Sequence, residues 1–292
     1  IPQEMNEARS WRWFPKPLSG DAADTAMWAT LSGGKPAMIA RFGSTEMKAV
    51  LYPLLPRWMR QPVKHRVLNT MRVYSGFFSA SEAAICRFSE LMLADMEYLD
   101  VLGSWRVEER FLCHRFKAAT LVNLASLEPY LSSMPWSALL ANKRVLVVHP
   151  FVSTIRRQYD EKREQLFADS RVLPAFGSLD LVAAVQTIAG TESRFSDWFD
   201  ALESMKDEVA AKQFDVAIIG CGAYGFPLAA HVKRLGKQAV HLGGATQILF
   251  GIRGNRWDKH PAISSLYNEH WVRPDVTEKP SGAEKVEGAC YW

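Results

Sequence analysis

The chain has 292 residues, 48% of them hydrophobic and 23% charged, a length and balance that bury a substantial core and exclude wholesale disorder. Its formal net charge is +4, and the cations are scattered, with modest clusters over 57–66, 156–163 and 253–259 rather than one concentrated stripe, which argues against a nucleic-acid partner while permitting a local anion site. Cys86, Cys113, Cys221 and Cys290 form no C-x-x-C pair, which excludes a zinc-finger centre and reads as free thiols of a cytoplasmic protein.

Residues 1–20 carry Trp11, Trp13, Phe14, Pro15 and Pro17, an aromatic arm too proline-punctuated for a regular helix. No signal-peptide pattern precedes it, and no apolar run reaches the roughly 18–20 residues that span a bilayer. Residues 21–31 predict a helix stopped by Ser32-Gly33-Gly34. Residues 36–42 read as a short buried strand broken at Gly43, and helical spacing resumes over 47–55. Residues 63–130 are expected to be mainly helical, with Ile85, Phe88, Leu91, Met92 and Met96 on one face.

Residues 144–148 predict a buried strand ending at His149-Pro150. An amphipathic helix over 153–167, a short strand over 172–175 and a helix over 195–212 follow. Residues 214–219 are the clearest strand, running into Gly220-Cys221-Gly222-Ala223-Tyr224-Gly225. A helix to Leu235, a stop at Gly236 and a strand over 238–242 lead to Gly243-Gly244. Strands alternating with helices of this length pair in parallel. The expected fold is therefore α/β, a single open and mostly parallel sheet with helices on both faces, Rossmann-like. No repeat or linker divides the chain, so 1–292 reads as one domain with an irregular C-terminal wrap over 251–292.

Gly220, Gly222 and Gly225 form a G-x-G-x-x-G between a strand and a helix, where glycine allows positive φ and a helix amino end offers N–H groups to a phosphate. A tight turn without a ligand explains the same residues. A nicotinamide dinucleotide suits the turn less well, because the next strand ends in Gly243-Gly244 instead of the acid that holds a ribose. In the first strand–turn–helix unit, Arg41 can meet a phosphate, and Glu46 can hold a metal or accept a proton. A helix-capping role accounts for Glu46 equally. His149 stands at a strand end and Arg156 opens the next helix, and a lone histidine there is also an ordinary structural residue. The last cluster is Gln247, Arg253, Arg256, Trp257 and the closing Tyr291-Trp292, whose rings suit stacking on sugars or bases.

Residues 38–46, with Arg41-Phe42-Gly43-Ser44-Thr45-Glu46, resemble the R-F-G-D-G-E signature of bacterial glycosyltransferases of the GT-D fold. Residues 145–151 with the charged helix after them resemble that family's middle strand and crossover. Residues 214–225 with 233–243 resemble its carboxyl-terminal unit. The resemblance implies a nucleotide-sugar donor, a UDP-sugar foremost, and hexose transfer to a hydroxyl of a glycan or glycoprotein acceptor in surface glycan synthesis. Under this reading Glu46, Arg41 and His149 are the catalytic candidates, with a carboxylate or His149 open as the base. Phe42, Gly43, Ser44, Thr45, Arg156, Gly220, Gly222, Tyr224, Gly225, Gly243, Gly244, Gln247, Arg256 and Trp257 become substrate contacts.

The family holds Mn²⁺ or Mg²⁺ on the two acids of D-x-E, whereas here Ser44 replaces the Asp and Glu46 stands alone. Three readings follow: a metal-independent transferase using Arg41 and other cations, a transferase with a weakened metal site on Glu46, or a non-catalytic nucleotide- or carbohydrate-binding module. A dinucleotide-dependent oxidoreductase is a more distant alternative. Trp11, Trp13 and Trp58 beside Arg57, Arg60 and Lys64 mark a membrane-surface or partner-docking face, or else a buried aromatic arm. Peripheral association with the inner face of the membrane and a homo-oligomer are both compatible with the sequence.

Overall fold

Segments of four to six residues form seven strands: β1 (Ala37–Ala40), β2 (Val101–Ser104), β3 (Thr120–Asn123), β4 (Arg144–His149), β5 (Ser178–Ala183), β6 (Val216–Ile219) and β7 (Gln238–His241). The computed structural model describes residues 14–188, 193–280, 282–285 and 288–292; Trp11 and Trp13 lie outside them. The strands form one sheet in the order β3-β2-β1-β7-β6-β4-β5, and every pairing is parallel. The expected α/β architecture is therefore present.

The central strands are continuous in hydrophobicity because both faces of the sheet are covered. One register row runs Val101–Ile39–Val240–Ile218–Val147 and packs wholly into one core. Its neighbours Met38, Leu102, Ala239, Ile219 and Leu146 point into the other, as the period of two demands.

The first core is covered by α2 (Ser44–Leu51), α3 (Arg57–Tyr74), α4 (Glu82–Asp95), α6 (Trp198–Ala210) and α7 (Gly225–Arg234). The second is covered by α1 (Asp21–Ser32), α5 (Val152–Lys162) and the C-terminal wrap, which buries Trp257, Ile263 and Trp271. Side-chain caps start two of the helices: Ser81 accepts from the Ala84 N–H of α4, and Asp197 from the Asp200 N–H of α6.

Three segments differ from expectation. The helical stretch expected over 63–130 ends at Asp95, and β2 and the edge strand β3 follow. Both are four residues long and mix apolar with Gly, Ser, Thr and Asn, so neither carries a usable period. The strand expected over 172–175 is irregular, and β5 begins at Ser178. Pro174 cannot donate to a ladder, and Val172 and Leu173 are buried off the sheet. The first crossover helix begins at Ser44 instead of Met47, with the Met47 N–H donating to the Gly43 carbonyl at 2.9 Å.

The chain leaves β4 outward, toward the edge strand β5, and leaves β6 inward, toward β7. Adjacent strands that diverge in this way open a crevice at their carboxyl ends, the usual ligand position in open α/β sheets. Here it lies between His149 and Gly220, whose N–H donates to the Val148 carbonyl at 2.9 Å.

Candidate functional site

A cleft of ≈ 720 Å³ occupies this edge. It is lined by Arg41, Gly43, Ser44, Thr45 and Glu46 after β1, His149 after β4, Gly220, Gly222 and Tyr224 after β6, and Gly243, Gly244 and Gln247 after β7. Arg256 joins them from the wrap. Four residues singled out in the sequence lie outside the lining. Phe42 is fully buried and stacks on Phe226 at 4.8 Å. Arg156 turns to the Leu179 carbonyl and lies 3.8 Å from Asp160. Gly225 makes room for the imidazole of His241, since a Cβ there would come within 2.0 Å of it. Trp257 is buried behind Gly244 and tilted against Tyr291, ring centres 5.8 Å apart.

The turn after β1 sets out the polar groups. Arg41 Nη2 donates to the Phe42 carbonyl at 2.9 Å, and Trp105 Nε1 donates to the same oxygen at 2.8 Å. The guanidinium lies 4.9 Å over the Trp105 ring, so Arg41 is held by a carbonyl and an aromatic face. No ion pair engages it among the described residues. Burial holds its pKa below the ordinary arginine value, and nearby Arg256 pushes the same way while Glu46 and Tyr291 oppose. A desolvated cation beside a second cation favours an anionic ligand.

Arg256 donates to the Tyr291 hydroxyl at 3.0 Å and lies 4.6 Å over that ring. Tyr291 in turn covers Gly244, where a Cβ would meet its ring at 2.5 Å. Gly243, at φ 64°, gives the chain its left-handed turn beside Arg41.

Glu46 sits at the third position of α2, and its carboxylate folds back over Gly43. Thr45 Oγ1 donates to it at 3.0 Å and lies 2.6 Å from Ser75 Oγ. Thr187, which donates to the Gly76 carbonyl, continues this hydroxyl-lined end of the cleft with Thr70 and Tyr74. Trp105, Arg41, Arg256, Tyr291 and Trp292 give the lining its aromatic and cationic part.

Both histidines of the cleft are neutral. Burial pushes His149 down to about 3, and the Phe151 N–H donates to its Nδ1 at 3.0 Å. The proton of the neutral ring therefore resides on Nε2, making His149 a hydrogen-bond donor rather than a ready base. Burial, helped by Arg41, likewise pushes His241 down to about 3; its Nδ1 lies 3.2 Å from the Ile219 carbonyl, which can only accept.

Glu109 adds a buried carboxyl behind the site. It accepts from the Ser104 hydroxyl and from the Trp105 and Arg106 N–H groups at 3.2 and 3.0 Å. Burial pushes it up to about 7.

The residues do not fit a resident divalent cation. Among the described residues Glu46 is the sole carboxylate in the lining, and no three His, Cys, Asp or Glu are grouped to hold a metal. Ser44 supplies at most a neutral hydroxyl where a second charge is wanted.

Sequence reasoning did not single out Trp105, Ser75, Thr187 or His241 as site residues. Trp105 follows a strand that carried no period, and Ser75 and Thr187 lie on connections. The histidine of β7 is legible by its place at the strand end, two residues before Gly243.

No protein-family model and no curated protein matches the sequence. Among solved structures the chain is similar to a selenomethionine-substituted domain of unknown function 1792, at 13% identity and a TM-score of 0.49, over 94% of this chain and 96% of that one. A second structure, described as that highly conserved domain with a distinct glycosyltransferase fold, gives 13% and 0.46 over 94% and 96%. A new glycosyltransferase of the same domain from Streptococcus sanguinis gives 12% and 0.40 over 89% and 100%.

Proposed function

We propose that the cleft binds a nucleoside diphosphate sugar, a UDP-sugar foremost, and transfers its sugar to a hydroxyl of a glycan or glycoprotein acceptor. The observation that carries the reading is the pairing of Arg41 with Arg256 beside the Gly243-Gly244 turn, at the carboxyl edge of the sheet. A diphosphate would offset the charge of the buried Arg41 guanidinium. The Trp105, Tyr291 and Trp292 rings would face the base or the ribose, and the hydroxyl-lined end around Thr45, Ser75 and Thr187 would receive the sugar. Buried Gln186 Oε1, Gln247 Oε1 and Trp292 Nε1 have no partner among the described residues, which is the condition of groups completed by a ligand. The likeness of residues 38–46 to the glycosyltransferase signature points the same way.

In this reading the acceptor oxygen forms a bond to the anomeric carbon as the bond from that carbon to the diphosphate oxygen breaks. Arg41 and Arg256 take up the charge that grows on the leaving diphosphate. Glu46, the carboxylate in the lining, receives the acceptor's proton, and His149 donates a hydrogen bond from Nε2. The guanidinium pair stands where a metal would otherwise neutralise the diphosphate, so the transferase works without one. A second reading, a nucleotide-binding module without catalysis, is favoured by a single fact: Ser44 stands where the signature carries an acid.

Thermal unfolding with a panel of nucleotides and nucleotide sugars, each with Mn²⁺ and with EDTA, tests the proposal. A ligand at 100 times its dissociation constant stabilises the native state by about 2.7 kcal/mol. A UDP-sugar is expected to raise the midpoint equally in both buffers, and incubation with an acceptor is expected to release UDP. No shift with any nucleotide overturns the reading. A shift without turnover on any glycan or glycoprotein acceptor selects the binding module.

A further inference from the structure

The stretch 47–81 contains Lys48, Arg57, Arg60, Lys64, Arg66 and Arg72 and not one Asp or Glu. These six cations exceed the formal net charge of +4 of the whole chain. Most of them lie on α3, which buries only Val67 and Met71.

Some are locally engaged. Lys64 pairs with Glu82 at 2.5 Å, Arg60 Nε donates to the Leu55 carbonyl at 2.8 Å, and Arg72 reaches Asn69 at 3.4 Å. Arg57, Arg66 and Arg72 are exposed, and no ion pair engages them among the described residues.

At the amino end of the same helix, large apolar side chains stand in water. Trp58 is 76% exposed, Leu54 54% and Met59 40%. Pro53 and Pro56 flank Leu54 and shape the tip that presents them. A folded domain gains nothing from holding these groups in solvent, and a nucleic-acid surface would use the arginines but leave Leu54 and Met59 unmatched. A bilayer interface accommodates both kinds of side chain, apolar groups at the headgroup boundary and cations against anionic lipid.

We infer that the outer face of α3 and the tip before it dock the protein on an anionic membrane surface. The inferred association is peripheral, and no helix among the described residues is long and apolar enough to cross a membrane. The geometry ties docking to the cleft: Thr70 and Tyr74 at the carboxyl end of α3, and Lys48 on α2, line it. A protein seated on α3 therefore holds the hydroxyl-lined end of its cleft close to the lipid headgroups, where a membrane-borne substrate arrives by lateral diffusion.

The test is co-sedimentation of the full chain with vesicles of phosphatidylcholine alone, and of phosphatidylcholine with about one third phosphatidylglycerol, at low and high salt. The protein is expected to pellet with the anionic vesicles, not with the neutral ones, and to be released by salt. At roughly 1 kcal/mol per cation at the surface, replacing Arg57, Arg66 and Arg72 together by Gln is expected to weaken binding on the order of 100-fold. Trp58→Ala is expected to weaken it roughly tenfold with little change in thermal midpoint. No pelleting with anionic vesicles overturns the inference. So does pelleting that neither variant changes, or tighter capture by an oligonucleotide than by vesicles. Vesicle binding is read without any cleft ligand, so its result is independent of whether a nucleotide sugar binds.

Discussion

The Glu46 carboxylate lies directly over the Cα of Gly43, so close that a Cβ at 43 would stand 1.7 Å from Oε2. The glycine has φ −76°, a value open to any residue, so it is required here for space and not for conformation. Gly43→Ala is therefore expected to fold with a thermal midpoint close to that of the parent, because the flexible carboxylate swings away. It is also expected to lose transfer activity together with Glu46→Gln, each by about 10²- to 10⁴-fold if the carboxylate takes the acceptor proton. An active Gly43→Ala enzyme would remove Glu46 from the chemistry.

Arg41 is fixed by the Phe42 carbonyl and the face of Trp105, a planar arrangement that a lysine cannot reproduce. Calorimetric titration with UDP is expected to show affinity falling about 10- to 100-fold in Arg41→Gln, with little recovery in Arg41→Lys. Arg256→Gln should act in the same direction, because its guanidinium shares Tyr291 and the Gly244 corner. Equal UDP affinity in all three variants would place the diphosphate elsewhere in the cleft.

The residues legible in the sequence are those that flank the wholly buried strands. The apolar runs of β1, β4, β6 and β7 announce themselves, and the turns after them bring Arg41, Glu46, His149, Gly222 and Gly243 to one edge. β2 and the edge strand β3 are short and carry polar residues, so nothing in the sequence marks Trp105 beside them. β5 contains Asp180 and alternates weakly, while the louder run 172–175 is apolar because it packs against the second core. Phe42 and Gly225 belong to recognisable motifs, yet one serves as core and the other as clearance for His241. In the wrap, nothing in the sequence separates Trp257, which supports the cleft wall from behind, from Tyr291, which lines it.

Gly225 meets a less forgiving neighbour than Gly43 does. A Cβ on α7 would stand 2.0 Å from Cε1 of the His241 ring, which is buried and packed. Gly225→Ala is expected to destabilise the fold by about 1–3 kcal/mol through overpacking, read as a lower urea midpoint with unchanged slope. Adding His241→Ala removes the obstructing ring. The two changes together should cost measurably less than the sum of the single costs, and strict additivity would exclude this contact as the cause.

The buried histidines set the response to acid. His149 and His241 ionise near 3 in the folded chain against an ordinary 6.5, because burial disfavours the cation. The unfolded chain therefore binds more protons at any pH between those values, so folding stability is complete above 6.5 and declines as pH falls toward 3. Each histidine contributes on the order of 4 kcal/mol over that window. Glu109 works the other way: burial raises it from 4.5 to about 7, so its protonated native form loses stability as pH rises from 4.5 to 7, on the order of 3 kcal/mol in full. The two histidines outweigh the one carboxyl. Urea midpoints are expected to rise steadily from about pH 3.5 to 6.5, and replacing Glu109 by Gln should steepen the rise between 4.5 and 6.5 by removing the opposing titration. A midpoint flat across this range would mean that neither imidazole is held neutral by the fold.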